Sequence, residues 1–273
     1  TKMSIKNKYD NYLFYLCTAK TSPIKYLIEL MRNLFPEGVF KCDKQAIKYK
    51  NITKSRDVFM DTILNASSFE EYFCPNEIEI ALNMENLFKI VKGIDSNDTL
   101  KLYVLKDKPN KLVIHTYNKE ENINETVHLN TMDLTIDDFE LGEGTVFDSV
   151  VIIPTARFQK ICSSINNFNE RVEIQKTSDQ IIFKGCNKDV SQLYVIKPSE
   201  NGVKFQSKNK SDEIVQGEFI LKYFLLFSKC GNLSSTIDIL FKNNYPMILQ
   251  CDVAGLGDIK LLIAPQVNDD DEE

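Results

Sequence analysis

The sequence of 273 residues has no segment typical of a membrane or secreted protein. No apolar run approaches the roughly 20 residues that a membrane-spanning helix needs. The apolar stretch 12–17 is short and is followed closely by Lys20, so it fits neither a signal peptide nor an anchor and predicts a first strand. The seven cysteines include no C-x-x-C pair, so we expect free, mostly buried thiols in a reducing compartment.

The chain also has few of the residues and none of the motifs that mark common enzymes. It contains no Walker A, H-E-x-x-H or G-x-S-x-G motif and no Cys/His spacing typical of zinc. Gly255 and Gly257 lack the third glycine of a dinucleotide fingerprint. The only histidines are His115 and His128, and a thiol hydrolase that uses Cys162 and His115 stays open as an alternative. We expect no catalytic activity, no cofactor and no metal.

What the sequence does contain is a series of four short helices, each followed by strand-like hairpins. Their starts lie 61, 70 and 65 residues apart, which indicates one structural unit used four times. Two such units make a natural domain in which two helices cover one face of an antiparallel sheet. The sequence therefore predicts an α+β fold with two similar domains. The helices are predicted at 23–34, 84–92, 154–165 and 219–230.

The ends of two of these helices rest on local signals. Ser22 is the expected N-cap of the first helix, with Pro23 at the first helical position. By composition alone, residues 219–227 fit a buried strand as well as a helix. The seven-residue spacing of Lys222 and Lys229 and the match to the other three units favour a helix.

The predicted helices are basic, whereas the rest of the chain is acidic. The helices hold eight basic residues and two glutamates, a balance of +6, whereas the whole chain has a net charge of −6. Any one of these lysines fits an ordinary solvated helix surface, but their recurrence on all four helices indicates a polyanion bound on one face. The eight basic residues are Lys25, Arg32, Lys89, Lys92, Arg157, Lys160, Lys222 and Lys229.

Acidic residues are concentrated in two segments of the chain, one between the predicted domains and one at the end. Residues 131–147 are rich in acids and contain Gly142 and Gly144, which predicts an exposed connector between an N-terminal domain, 1–130, and a C-terminal domain, 148–267. Residues 268–273 hold five acids and predict a solvated tail.

Several stretches resemble the eukaryotic-type sliding clamp family, that of proliferating cell nuclear antigen, over most of the chain from about residue 22. The strongest are LSST at 233–236 and GLGDIKLLIAP at 255–265. MDL at 132–134 resembles the start of the family's interdomain loop, and FQKIC at 158–162 resembles a helix of its second domain. The resemblance implies the DNA-clamp fold.

The resemblance also implies a non-enzymatic homotrimeric ring that encircles double-stranded DNA without reading its sequence. The eight basic residues would line the inner face, with Ser163 where the family often has a further cation. Strands at 124–130 and 190–196 would pair between subunits, which would give these edge strands a partner. Implied partners are a DNA polymerase, an ATP-driven clamp loader and client proteins with short docking peptides, but no membrane. The implied location is the nucleus, or a viral replication site.

A docking pocket for client peptides of the type Q-x-x-aliphatic-x-x-aromatic-aromatic is a further implication of the resemblance. Leu262 replaces a residue that is usually aromatic, and Phe59 replaces an aliphatic one, so the shape of the pocket is expected to differ. Ordinary core packing is the alternative for each of these apolar residues. The lining carried over to this chain is Ile52, Phe59, Phe139, Leu141, Pro246, Leu262, Ala264 and Pro265.

A second function stays open at this point. A protein with the clamp fold that does not close a ring would be a monomeric processivity factor, or a transcription or repair accessory that binds DNA along one face. The mass of the protein in solution separates the two functions.

Overall fold

The chain folds into two compact units. A computed structural model describes residues 8–134, 147, 149–200, 202–207, 214–243 and 245–266. Of these, unit 1 contains residues 8–51, 61–134 and 253–257, and unit 2 contains residues 52–60, the described part of 139–252, and 258–266. Most of the predicted acidic connector and the whole acidic tail lie outside the described residues.

Unit 1 consists of helices α1 (Thr21–Leu34) and α2 (Met84–Val91) on antiparallel strands. One sheet has the order β5-β1-β7-β8-β9, and strands β6, β2 and β3 pair in that order. β4 contributes its last residues to unit 1. The strands are β1 (Tyr12–Thr18), β2 (Glu37–Cys42), β3 (Ala46–Ile52), β4 (Val58–Asn65), β5 (Glu71–Phe73), β6 (Ile78–Asn83), β7 (Thr99–Leu105), β8 (Lys108–Asn118) and β9 (Ile123–Asn130).

Unit 2 repeats this plan with helices α3 (Thr155–Asn166) and α4 (Leu221–Ser228). One sheet has the order β13-β12-β11-β15, and strands β14, β10, β16, β17 and β18 pair in that order. The described pairs are antiparallel. The strands are β10 (Ser149–Pro154), β11 (Arg171–Lys176), β12 (Ile181–Cys186), β13 (Ser191–Ile196), β14 (Lys204–Ser207), β15 (Val215–Ile220), β16 (Thr236–Phe241), β17 (Met247–Asp252) and β18 (Gly257–Ile263).

The helices of each unit pack side by side, and their apolar stripes form the core with the strands. In unit 1, Ile24 and Leu27 of α1 line a small cavity of about 70 Å³ together with Leu87 of α2 and Leu112 of β8. In unit 2, the centroid of the Phe158 ring lies 6.4 Å from that of Phe183 and 6.0 Å from that of Phe224. Burial of these stripes leaves the opposite side of each helix for charged residues.

The predicted start of the fourth helix is wrong. Phe219 and Ile220 belong to β15, where Phe219 pairs with Val172 of β11, and the helix begins at Leu221. The run is apolar enough for either structure, and pairing with a strand almost 50 residues away decides it. The helix also ends at Ser228, so Lys229 lies in the 3₁₀ turn Lys229–Asn232 that follows.

The predicted cap of the first helix is also wrong. The helix begins at Thr21 after Lys20, and no side-chain capping bond is present there. Ser22, the predicted cap, is already the second residue of the helix, and the Thr21 hydroxyl donates to the carbonyl of Asp95, 3.1 Å away. Pro23 therefore lies within the first turn, where its missing N–H costs nothing because the first four amides of a helix have no partner in the helix.

Gly257, the second glycine of the 255–265 motif, has a structural role. Its φ is +156°, and a Cβ atom there would lie 1.9 Å from the carbonyl oxygen of Ile63. The Asn65 amide donates to the Leu256 carbonyl at 2.8 Å, which holds the two segments together. A side chain at position 257 would break this contact. In the described part of the chain, no helix is both long and apolar enough to cross a bilayer.

Candidate nucleic-acid interface and peptide pocket

The basic residues of unit 1 lie outside the buried stripes of α1 and α2. Lys89 and Lys92 are exposed, and Lys25 and Arg32 are half-buried. The Arg32 guanidinium lies 4.4 Å from the centre of the Phe88 ring, which fixes its position over α2.

Glu85 of α2 neutralises part of this surface. It lies 3.4 Å from Arg32 and 3.7 Å from Lys89, so cations from both helices converge on one carboxylate. The three side chains are 30–60% exposed, and such exposed pairs contribute only about 0–1 kcal/mol to stability. A phosphate can therefore compete with Glu85 for either cation at small cost.

The basic residues of unit 2 are all exposed. Arg157 and Lys160 lie on α3 opposite its buried side chains, Lys222 lies on α4, and Lys229 follows α4. Among the described residues, none of the four has a carboxylate within ion-pair distance. Ser163, where a further cation is common in the family that the sequence resembles, is exposed as well. Unit 2 thus presents cations that are available to an external anion.

Part of the predicted peptide pocket forms an apolar cluster in unit 2. Phe59, Leu262 and Ile248 are at most 6% exposed, and Ile52 packs against them. Pro246 precedes the strand that carries Ile248 and is half-buried. Ala264 and Pro265, also half-buried, follow the strand that carries Leu262. Phe139 and Leu141, the two remaining predicted residues, lie outside the described residues.

Sequence reasoning missed three members of this cluster. Phe147, Leu240 and Ile248 all contact it, and the Phe147 ring meets that of Tyr245 edge-on at 5.6 Å. An aromatic residue at the end of an acidic connector was the available signal for Phe147. The apolar runs Ile239–Phe241 of β16 and Met247–Leu249 of β17 were the available signal for the other two.

A hydrogen-bonded carboxylate flanks the cluster. Asp57 accepts bonds from the hydroxyls of Thr53 and Tyr223, both at 2.6 Å, and from Ser55 at 2.5 Å. Burial alone would raise the pKa of Asp57, but these three bonds outweigh it and hold the pKa below its ordinary value. Burial, with the bond to Asp57, raises the pKa of Tyr223 to about 12. The Asp57 carbonyl also accepts from the Ala264 amide at 2.8 Å, which ties this network to the predicted pocket.

The two residues of the hydrolase alternative have unsuitable surroundings. Cys162 is 1% exposed, and burial raises the pKa of its thiol to about 12, so it is not a thiolate near neutral pH. His115 Nδ1 lies 2.9 Å from the hydroxyl of Thr126, and burial lowers the pKa of His115. In the described part of the chain, no group of three or more His, Cys, Asp or Glu side chains is placed to hold a metal.

Comparison with known families matches nearly the whole chain. Residues 14–138 match the N-terminal domain of proliferating cell nuclear antigen, and residues 143–266 match its C-terminal domain. These two matches are consistent with the α+β clamp fold of the two units.

Three relatives agree with the domain matches. The chain is 29% identical to "Probable DNA polymerase sliding clamp 1" of Paramecium bursaria Chlorella virus 1, over 94% of this chain and 98% of that protein. It is 27% identical to "Probable DNA polymerase sliding clamp" of Acanthamoeba polyphaga mimivirus, over 80% of this chain and 47% of that protein. It is 24% identical to the proliferating cell nuclear antigen of Chaetomium thermophilum, over 92% of this chain and 97% of that protein. The chain therefore belongs to the proliferating cell nuclear antigen family.

Proposed function

We propose that this chain is a DNA sliding clamp, a homotrimeric ring that encircles duplex DNA and keeps a polymerase on its template. Sliding clamps are accessory factors without catalytic activity, and we extend this to the present chain. The observation that carries the proposal is the exposure of basic residues on the helices of both units in a protein that is acidic overall.

The chemistry of the basic residues suits movement along DNA. Long, exposed lysine side chains contact phosphates, which are the same at every base pair, and carry no sequence information. The acidic remainder of the chain repels DNA from the other surfaces. We propose Lys25, Arg32, Lys89, Lys92, Arg157, Lys160, Lys222 and Lys229 as the DNA-contacting set.

Unpaired sheet edges support ring formation. β9 and β13 are each the last strand of their sheet. Ile123 on β9 is 55% exposed, and Leu193 and Val195 on β13 are 60% and 49% exposed. Edge strands with exposed apolar residues promote association, so we propose that β9 of one copy pairs with β13 of the next.

The apolar cluster around Phe59 and Leu262 supports a role in docking. We propose that client proteins, including the polymerase, insert a short apolar peptide beside the connector, at the pocket lined by Ile52, Phe59, Phe139, Leu141, Pro246, Leu262, Ala264 and Pro265. We further propose domains at 1–130 and 148–267, joined by a connector at 131–147 and followed by an acidic tail. The site of action is the nucleus or a viral replication site, where an ATP-driven loader places the ring on DNA.

Charge reversal at one basic residue of each unit tests the DNA-contacting set. The double variant Lys89→Glu with Lys229→Glu is expected to lower polymerase stimulation on primed DNA about tenfold or more, because phosphate contacts become repulsive. The matched control is Lys50→Glu with Lys188→Glu, which changes the net charge equally at exposed positions outside the helices. Equal stimulation by both variants at low salt would contradict the assignment.

The mass in solution distinguishes the ring from a clamp-fold accessory factor that acts as a monomer. Sedimentation of the purified chain is expected to give three times the 31.4 kDa of one copy. A single-chain mass at all accessible concentrations would refute the ring.

A further inference from the structure

A basic surface pocket lies in unit 2 between the start of α3 and the end of β13. Its volume is about 620 Å³. Arg157 and Lys160 of α3 line one side, and Ile196 and Lys197 line the other. No carboxylate is among the described residues that line it. Asp179 lies 3.8 Å from Lys197, but both side chains are more than 60% exposed, so this pair is weak. The pocket therefore attracts an anionic group from outside.

The strand that borders the pocket is an unpaired edge. Along β13, Gln192 and Tyr194 point towards α3, since both donate to the Ser164 hydroxyl, at 3.3 Å and 2.6 Å. Ile196 shares this face because side chains alternate along a strand. A strand added at this edge would place the side chains of its helix-covered face beside Arg157 and Lys160.

The strand proposed to pair with it, the edge strand β9, carries one acid on its helix-covered face. Glu125 pairs across the sheet with Thr116, which is 8% exposed. Leu129, on the same face, pairs with Leu112, which lines the cavity beneath α1 and α2. Glu125 is exposed, and among the described residues it has no ion-pair partner.

Pairing β9 of one copy with β13 of another limits the residues that Glu125 can lie opposite. The described strand pairs of both sheets are antiparallel, and an added strand in this orientation continues the pattern. With the strand centres aligned and the helix-covered faces on the same side, Glu125 lies opposite Tyr194 or Ile196. The register opposite Ile196, which lines the pocket, places the Glu125 carboxylate at the pocket mouth. The register opposite Tyr194, which bonds to Ser164, places it beside α3 one helical turn from Lys160.

We propose that the pocket formed by Arg157, Lys160 and Lys197 binds Glu125 of a second copy of this chain. The resulting ion pairs would stabilise the subunit contact. The inference rests on the proposed ring and adds the residues that set its strength. It gives Arg157 and Lys160 a role at the subunit contact in addition to any contact with DNA. Because the contact is between charges, the ring is expected to weaken as salt rises.

The test is a charge exchange measured without DNA. Sedimentation at about 50 mM salt gives the subunit dissociation constant of each variant. Glu125→Arg, and Arg157→Glu with Lys160→Glu, are each expected to raise this constant about 10- to 100-fold. Combining all three substitutions in one chain puts an arginine opposite two glutamates, with Lys197 as the one remaining like charge, and is expected to recover most of the loss. Glu77→Arg, an equal charge change at an exposed site before β6, is the control.

The outcomes separate this inference from the proposed ring. A wild-type protein that is monomeric throughout refutes both. If the wild type is a trimer and Glu125→Arg has the same dissociation constant, the inference is overturned and the ring is not. The same holds if the combined variant has a dissociation constant no lower than that of Glu125→Arg or of Arg157→Glu with Lys160→Glu. Glu125→Gln is the conservative check in case the arginine variant misfolds. It is expected to dissociate more readily than wild type and with a shallower dependence on salt, and wild-type behaviour in this variant would overturn the inference.

Discussion

Removing the hydroxyl of Tyr223 tests the Asp57 network beside the peptide pocket. Tyr223→Phe deletes the 2.6 Å bond to the Asp57 carboxylate and leaves the ring in place. A hydrogen bond to a charged acceptor contributes about 1.5–3 kcal/mol. Asp57 keeps its bonds from Thr53 and Ser55 and is partly exposed, so we expect a loss at the low end of this range, about 1.5 kcal/mol at pH 7.

The loss is expected to depend on pH with a definite sign. The pKa of Asp57 is lower in the folded protein than the ordinary value of 3.8, so its network stabilises the fold above that pH. This contribution disappears as the pH falls through the lowered pKa and the carboxyl becomes neutral. The difference between wild type and Tyr223→Phe should therefore be full at pH 7 and shrink as the pH falls below 3.8.

Urea unfolding of both proteins at pH 7 and in acid measures the difference. Tyr26→Phe is the matched control, since Tyr26 is also half-buried on a helix and its hydroxyl bonds to no described residue. The control is expected to match wild type within about 0.5 kcal/mol. A Tyr223→Phe protein as stable as wild type at pH 7, or equally destabilised at both pH values, would refute the account of this network.

Two further predictions concern single side chains. Cys186 is the one exposed cysteine of the seven, all of which are described, so a thiol reagent should modify one thiol quickly in the native protein, and Cys186→Ser should abolish that fast phase. Reaction of more than one thiol at the fast rate would show that the core opens readily. Phe147→Ala should weaken binding of a client peptide about tenfold, as a loss of about 1.4 kcal/mol of apolar contact implies, whereas Phe168→Ala, at a ring that is 52% exposed, should not. Equal effects of the two variants in fluorescence titrations would remove Phe147 from the pocket.

The helices and strands were largely predictable from the sequence because local pattern and burial agree. The stripe of Ile24, Leu27, Ile28 and Met31 predicts α1 and is buried as expected. The start of α4 was not predictable, because the backbone of Phe219 bonds to a strand far away in the chain. Helix α1 likewise begins one residue before the predicted cap Ser22, at Thr21, whose hydroxyl donates to the carbonyl of Asp95 far along the chain.

The candidate sites were predictable in part. Six of the eight basic residues are exposed and two, Lys25 and Arg32, are half-buried; none is buried, as their positions outside the apolar stripes predict. The side chains that contact Arg32 could not be predicted from the sequence pattern of α1, because Glu85 and Phe88 belong to the neighbouring helix α2. The basic pocket also could not be predicted from the sequence, because the end of β13 and the start of α3 come together only in the folded unit.

Retention on circular DNA tests encirclement most directly. The clamp is loaded onto nicked circular duplex DNA, the sample is filtered to remove free protein, and half of it is linearised with a restriction enzyme. A ring held by topology should stay on the circles and slide off the linear DNA, and blocking both ends with bulky protein should restore retention. Equal retention on circular and open-ended linear DNA would contradict the sliding-clamp account.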